Sequence, residues 1–371
     1  MILKTNLIFM NKKIKVVISA GGTGGHVFPG WNLAKHLIDS NYEVELVTDK
    51  RGQKFLKNLQ KINVTLLPSS PFLIDNIFRL FFSPLFIFYS VIRSILFLIL
   101  KKPHIVFGMG GYASFPICIA ASILRIKLII YENNLIIGKS NKYLLPLAKK
   151  ILVSYEEIEG IPKKYKNKIF EVGNIIRKDI IKFSKKKSEE KKINLLVLGG
   201  SQAAKVFAET LPKIFQNCIN NGIELKIYQH CLPSQNESLR VFYSQSKIDF
   251  EIFNFSDNLT DYFSKVSLAI TRSGSSVLAE LTNAKIPFIS VPLPTSADNH
   301  QLKNAIFYNK KKFSYLIEEK ELSHRLFSII EEIYRDRSKL NLISQNQSQY
   351  SDKNVYNNIN QVLKRIINEK N

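Results

Sequence analysis

Short runs rich in Val and Ile alternate with longer stretches of helical period along this chain, and the alternation happens twice. In the first half the strand-like runs are 14–20 (IKVVISA), 43–48, 63–67, 104–107 and 127–131; in the second they are 193–198 (INLLVL), 223–228, 249–253, 268–271 and 287–291. Strands apolar on both faces need cover on both sides, and the intervals fit crossover helices, so each half reads as a mostly parallel sheet between helical layers. Between the halves lies FSKKKSEEKK, 183–192, charged and nearly free of apolar residues, which is the natural linker. The expectation is an α/β chain of two Rossmann-like, doubly wound domains over 1–182 and 193–352. A final polar helix over 353–371, with apolar positions at Val355, Ile359, Val362, Leu363 and Ile366, is suited to packing back on the first domain.

Composition agrees with this frame and adds little about function. At 371 residues and 45% hydrophobic content the chain can bury two cores. Cys118, Cys218 and Cys231 are too few for a disulfide framework and lack zinc-ligand spacing, which favours a reducing compartment. The net charge of +23, from 53 basic and 30 acidic residues, suits an anionic partner such as nucleic acid, lipid headgroups or a phosphorylated substrate. Yet 42 of the basic residues are Lys and 11 are Arg, amid abundant Asn and Ile, a pattern that AT-rich coding also produces. Bulk charge therefore selects no partner. The first 13 residues have too short an apolar stretch for a secretory signal, and Met10 is a second candidate start, so they read as an N-terminal extension.

One segment stands apart. IFRLFFSPLFIFYSVIRSILFLIL, 77–100, is almost wholly apolar, interrupted by Arg79, Pro84 and Arg93. Three readings fit: a buried core helix, a helix whose apolar face dips into a membrane surface, and a transmembrane span. Lys101 and Lys102, with Lys57 and Lys61 upstream, suit the second, because anionic lipid rewards basic residues beside an apolar wedge.

Chemistry concentrates at glycine-rich strand-to-helix turns. The run 14–20 enters GGTGGHVFPG, 21–30, where glycines let backbone approach a ligand and the helix N-terminus favours an anion. The loop is neither a Walker A motif nor GxGxxG, although Asp49 stands where a dinucleotide fold would place its ribose acid, so a nicotinamide dehydrogenase stays among the readings. His26 falls at the helix start, where the positive end of the dipole favours a neutral ring able to accept a proton; the bland reading is a packing or capping histidine. The device recurs as GMGGYASFP, 108–116, and as LGGSQAAK, 198–205, with Ser201 where an N-cap or phosphate-contacting hydroxyl belongs. Three such turns imply at least two phosphorylated groups near the carboxyl ends of two facing sheets. Downstream, TRSGSSVLAELTNAKIP, 271–287, carries Glu280 about two helical turns in, a carboxylate able to accept ribose hydroxyls or simply to face solvent. DNHQLKNA, 298–305, places His300 and Gln301 at a helix start, suited to sugar hydroxyls or to capping.

Together these motifs resemble the MurG family of bacterial N-acetylglucosaminyltransferases, GT-B enzymes of peptidoglycan synthesis, from about residue 14 to the last helix. The resemblance implies a GT-B fold whose two domains face a central cleft. It also implies transfer of GlcNAc from UDP-GlcNAc to the C4 hydroxyl of MurNAc in undecaprenyl-pyrophosphoryl-MurNAc-pentapeptide, lipid I becoming lipid II. The N-terminal domain would hold the lipid-linked acceptor and the C-terminal domain the nucleotide sugar. By the same resemblance Gly21, Gly22, Gly110, Gly111 and Tyr112 face the acceptor diphosphate, and His26 is the base. Thr23, Gly24, Gly25, Asn134, Arg177, Ser201, Glu280, His300 and Gln301 are carried over as UDP-GlcNAc contacts, with Asn134 on the transferred sugar, Arg177 and Ser201 on phosphate or nucleotide, Glu280 on ribose, and His300 with Gln301 on GlcNAc hydroxyls. The enzyme would sit peripherally on the anionic cytoplasmic face of the inner membrane, with partners in a cell-wall synthesis complex and none among nucleic acids. Without a DxD triplet, the leaving diphosphate would be stabilised by the helix N-terminus at Ser201 and by Arg177, with no metal and no other cofactor. Alternatives are another GT-B glycolipid transferase and a non-catalytic membrane-binding scaffold on a nucleotide fold. The chain departs from the family pattern at Tyr131, which leads YENN in place of HEQN, and at Ile175, where a Pro is usual after GN. Ala203, Phe115 and Val277 are further departures.

Overall fold

The computed structural model describes residues 13–56, 62–69, 77–184, 192–200, 205–254 and 259–369, with backbone alone over 77–83. The chain divides into two compact units, one running to Ile175 and taking in Asn354–Asn371, the other Ile176–Lys353.

In the first unit β1 (Lys15–Ser19) leads into α1 (Gly24–Asp39), then β2 (Glu43–Thr48), α2 (Lys50–Leu56), β3 (Asn63–Leu66), α3 (Ile77–Lys101), β4 (Ile105–Gly108), α4 (Phe115–Ile123), β5 (Lys127–Glu132), α5 (Lys139–Leu144), β6 (Lys150–Val153) and β7 (Ile169–Glu171). The seven strands are ordered β3-β2-β1-β4-β5-β6-β7 and every pairing is parallel. The centre is dry: Val16, Val17, Ile18, Val106 and Phe107 are all buried, as strands covered on both faces must be. Strand order reverses between β1 and β4, so their carboxyl ends open on the crevice where α/β sheets hold ligands.

The second unit repeats the plan. It begins with α6 (Lys178–Lys182) and continues through β8 (Ile193–Leu198), α7 (Lys205–Asn220), β9 (Leu225–His230), α8 (Asn236–Gln245), β10 (Asp249–Phe253), α9 (Leu259–Phe263), β11 (Leu268–Arg272), α10 (Ser275–Asn283), β12 (Phe288–Val291), α11 (His300–Lys310), β13 (Ser314–Leu316), α12 (Leu322–Arg335) and α13 (Ser338–Gln347). Its sheet is ordered β10-β9-β8-β11-β12-β13, again all parallel, with the reversal between β8 and β11. The last helix, α14 (Val355–Asn368), belongs to the first unit and buries Val355, Tyr356, Ile359, Val362, Leu363 and Ile366 there. Lys127 Nζ donates to the carbonyls of Ile366 and Glu369 at 2.8 and 2.9 Å, answering acceptors that the helix C-terminus leaves open. Cys118, Cys218 and Cys231 are buried and unbridged, with thiols pushed up by burial, so they act as packing groups.

Strands β6, β7 and β13 go beyond the ten sequence runs; they have four, three and three residues, too few for periodicity to register. The units part at Ile175/Ile176 rather than at 183–192. Helix α6 packs on α10, and Phe183 meets the Phe263 ring edge-on at 6.3 Å, which ties that segment to the second unit. Residues 1–12 and most of the expected linker, 185–191, lie outside the described residues.

Helix α3 is not a core helix. Over Pro84–Lys101 only 22% is buried, and the window is long and apolar enough to cross a membrane by length and composition. Its buried edge carries Ser90, Ser94, Phe97 and Leu98 against α4, with Ser90 and Ser94 hydroxyls returned to the helix's own carbonyls at 2.8 and 2.7 Å. Leu85, Phe88, Tyr89, Ile92, Leu96, Ile99 and Leu100 form an exposed stripe on the other side. Its inner edge is narrow and mixed, two hydroxyls with Phe97 and Leu98, while most of its large apolar groups face outward.

Candidate active site

Chain entering the first unit's crevice is shaped by what glycine permits. Gly22 has φ +82°, and a Cβ at Gly21 would stand 2.6 Å from the Ala113 Cβ, so the loop after β1 presses on the loop after β4. Thr23 is the exposed N-cap of α1 in extended conformation, and its carbonyl accepts from His26 N at 3.1 Å, so Gly24, Gly25 and His26 form the first turn. His26 is half-buried. Gly110 and Gly111 have φ +88° and +72°; side chains there would come within 3.2 Å of His26 Cε1 and 3.0 Å of Cδ2. The imidazole occupies the volume those glycines vacate, which joins the two glycine loops around one base. The nearby Asn133 donates to Gly25 O at 3.0 Å. Asn134 is held by Glu132, whose Oε1 accepts its backbone N at 3.1 Å and its Nδ2 at 3.0 Å.

Asp49 does not present a free acid to a ribose. Its Oδ1 accepts Gly22 N at 2.9 Å and Gly52 N at 2.8 Å, while Oδ2 takes Arg51 Nε and Nη2 at 3.2 and 3.0 Å. Burial raises the Asp49 carboxyl, but the two backbone donors and Arg51 outweigh it and hold it below the ordinary carboxylate range. That occupancy removes the dinucleotide reading of this residue. Tyr131, 1% exposed, hydrogen-bonds Ser154 Oγ at 2.8 Å and accepts Ile175 N at 3.0 Å, so it braces the end of the first unit and does not reach the crevice.

In the second unit Gly200 (φ +77°) ends the described part of the loop after β8; Ser201 and Ala203 lie outside the described residues, as do Lys57 and Lys61. On the other side of the reversal, β11 ends in Arg272, buried at 7% exposure, paired with Glu319 and bonded to Val291 O and Pro292 O at 3.3 Å each. Ser273 and Gly274 then lead into α10, whose N-terminus opens at the crevice. Glu280 sits in the second turn of α10, where Arg177 grips it side-on, Nε to Oε1 at 3.1 Å and Nη2 to Oε2 at 3.2 Å. The pair is largely shielded, with side chains 20% and 13% exposed. The two residues expected on different parts of the nucleotide thus form one bidentate unit.

Gln301 Oε1 accepts Ser273 N at 3.2 Å and Leu293 N at 3.0 Å, so its carbonyl fixes two loops and a sugar contact falls to Nε2. His300 Nδ1 donates to Ala297 O at 2.7 Å, which leaves Nε2 as the acceptor of a neutral ring. The preceding Asp298 and Asn299 both have left-handed backbone, φ 52° and 54°, a strained entry that puts His300 and Gln301 at the start of α11. Sequence alone missed Arg51, Asn133, Arg272 and Glu319; Asn133, Arg272 and Glu319 act through partners distant in the chain, and Arg51 through its neighbour Asp49 and the distant Tyr112 ring.

The glycosyltransferase family 28 N-terminal domain matches residues 16–153, and the family's C-terminal domain matches 194–362. A Pelagibacter ubique relative named UDP-N-acetylglucosamine–N-acetylmuramyl-(pentapeptide) pyrophosphoryl-undecaprenol N-acetylglucosamine transferase is 37% identical over 97% of this chain and 100% of its own length. This chain belongs to the MurG branch of glycosyltransferase family 28. A Rickettsia felis relative with the same name is 35% identical over 83% of this chain and 87% of its own. The crystal structure of Acinetobacter baumannii MurG superposes with TM-score 0.75 at 22% identity, over 95% of this chain and 100% of that one, a likeness of fold. Within this family the two glycine loops around His26 and the Arg177–Glu280 pair fall in separate units, each at its own sheet reversal.

Proposed function

We propose that this chain transfers N-acetylglucosamine from UDP-N-acetylglucosamine to N-acetylmuramyl-(pentapeptide) pyrophosphoryl-undecaprenol, the reaction named for its Pelagibacter ubique and Rickettsia felis relatives. The observation that carries the site reading is the His26 imidazole seated on Gly110 and Gly111, with both glycine loops of the first unit around it. These loops take the acceptor diphosphate on backbone N–H groups. The second unit takes UDP-GlcNAc: Glu280, oriented by Arg177, accepts ribose hydroxyls, and His300 Nε2 with Gln301 Nε2 meets the hydroxyls of the sugar. The reaction is a single displacement with inversion. The MurNAc C4 oxygen bonds to the anomeric carbon of GlcNAc, its proton goes to His26, and the bond to UDP breaks with its electron pair on the departing phosphate. Negative charge growing there is met by the N-terminal end of α7. Arg177, whose Nε and Nη2 hold the Glu280 carboxylate, orients that carboxylate. No metal is needed in this scheme, and turnover in excess EDTA is expected to equal that without it.

The exposed stripe on α3 supports peripheral attachment to a membrane surface. A spanning helix would have lipid on all sides, whereas this one rests a packed edge on α4. Lys101, paired with Glu45 Oε2 at 2.8 Å, ends the helix, and the exposed Lys102 follows, placed for anionic headgroups on the cytoplasmic leaflet. The deciding experiment incubates purified protein with UDP-GlcNAc and a short-chain lipid I analogue, then seeks UDP and disaccharide product by mass spectrometry. Absence of product, or equal use of UDP-galactose, overturns the assignment. Replacing His26 by Ala is expected to lower turnover at saturation by about 10² or more; a loss below about tenfold removes His26 as the base.

A further inference from the structure

Neither the family motifs nor the mechanism above uses Arg51, yet it is held at the first unit's crevice by two neighbours. Its Nε and Nη2 lie 3.2 and 3.0 Å from Asp49 Oδ2, and its guanidinium carbon stands 4.4 Å from the centre of the Tyr112 ring. Asp49 in turn accepts Gly22 N, so residues following β1, β2 and β4 form one clasp. Gly52 allows the approach, since a Cβ there would come 3.1 Å from Gly21 Cα and 2.1 Å from Thr48 Oγ1. The open face of Gly22 looks onto this clasp: a Cβ would lie 3.4 Å from Arg51 Nη2 and 3.8 Å from the Tyr112 hydroxyl. Within the pair the anion is hidden and the cation shown, with side chains 6% and 45% exposed. A guanidinium has five N–H donors; two go to Asp49, and among the described residues the other three meet no acceptor, which leaves them for a second anion.

We propose that Arg51 binds the acceptor's diphosphate beside Gly22, with Asp49 and Tyr112 as the positioning residues that hold its guanidinium there. This rests on the reading that the first unit's glycine loops take that diphosphate. The guanidinium adds directed donors on the cationic, exposed side of the pair, on a side chain already restricted by Asp49 and Tyr112.

The test compares two soluble acceptor analogues, one with a diphosphate and one with a monophosphate at the same sugar, using the full chain and saturating UDP-GlcNAc. The wild-type protein is expected to favour the diphosphate in kcat/KM, and Arg51→Gln to reduce that preference by at least about tenfold, with KM for UDP-GlcNAc within twofold of wild type. Arg51→Lys should keep part of the preference, because charge returns without the fork or the stacking. The preference is a ratio measured on one preparation, so partial misfolding leaves it unchanged. A wild-type preference that survives Arg51→Gln overturns the role of Arg51 while leaving the loop reading intact. A wild-type enzyme that does not distinguish the two analogues overturns both.

Discussion

Tyr131 and Ile175 both break the family pattern, and the structure joins them in one hydrogen bond. A proline at 175 would have no N–H to satisfy; Ile175 has one, buried, and Tyr131 provides the acceptor at 3.0 Å. Tyr131→Phe is therefore expected to cost about 1–3 kcal/mol of stability in urea unfolding, with little effect on KM for either substrate. Asp49 gives a pH signature. Its carboxyl is held below the ordinary value near 3.9, so its contribution is complete above that pH and is lost as pH falls through the depressed folded value. Asp49→Asn should destabilise the protein by about 1–3 kcal/mol at pH 7, and the difference from wild type should shrink on acidification below about pH 4. Glu280→Gln weakens the charged half of the Arg177 pair and the ribose acceptor together, so KM for UDP-GlcNAc should rise by about tenfold or more with acceptor KM unchanged.

Helix α3 shows what an element can say that its residues cannot. Hydropathy read along 77–100 leaves core, surface and span all open, because composition does not record which side faces inward. The resolving fact is angular: Ser90 and Ser94 share the buried edge, and Leu85, Phe88, Ile92 and Leu96 share the outer one. Phe88→Glu with Leu96→Glu, at positions 64% and 53% exposed, should weaken binding to anionic vesicles on the order of a hundredfold and shift stability by no more than about 0.5 kcal/mol. Ser94→Leu, by contrast, forces methyl groups into the contact with α4 and is expected to cost about 1–3 kcal/mol. The glycine loops make the complementary point: as strand-to-helix turns they are plain in the sequence, and their pairing around His26 required the reversal of strand order between β1 and β4.

For the whole molecule, the notable connection is the return of α14 to the first unit after the second is complete. The chain passes between the units twice, at Ile175/Ile176 and at Lys353/Asn354. Six apolar side chains of α14 are buried, each contributing about 1.5–3 kcal/mol as an upper estimate. Their sum, on the order of 10 kcal/mol, is comparable to the stability of an entire domain. Truncation after Lys353 should therefore unfold or aggregate the first unit while UDP binding by the second persists, a split that calorimetry and nucleotide titration can separate. His36 reports the same packing locally, with its Nε2 3.1 Å from Asn360 Oδ1 and its ring 4.5 Å from that of Tyr356.

By itself the sequence determined the α/β class, ten of the thirteen strands among the described residues, the glycine turns and the family, since these depend on local periodicity and on short contiguous motifs. It also marked His26, Glu280, His300 and Gln301, whose motifs are contiguous. Only the tertiary structure decided that Asp49 secures Gly22 and Arg51, that Arg177 and Glu280 are partners 103 residues apart, and which face of α3 looks outward. The physical reason is that a side chain's partner depends on strand order and helix rotation, which are settled by packing elements from distant parts of the chain and leave no mark within any one window of sequence.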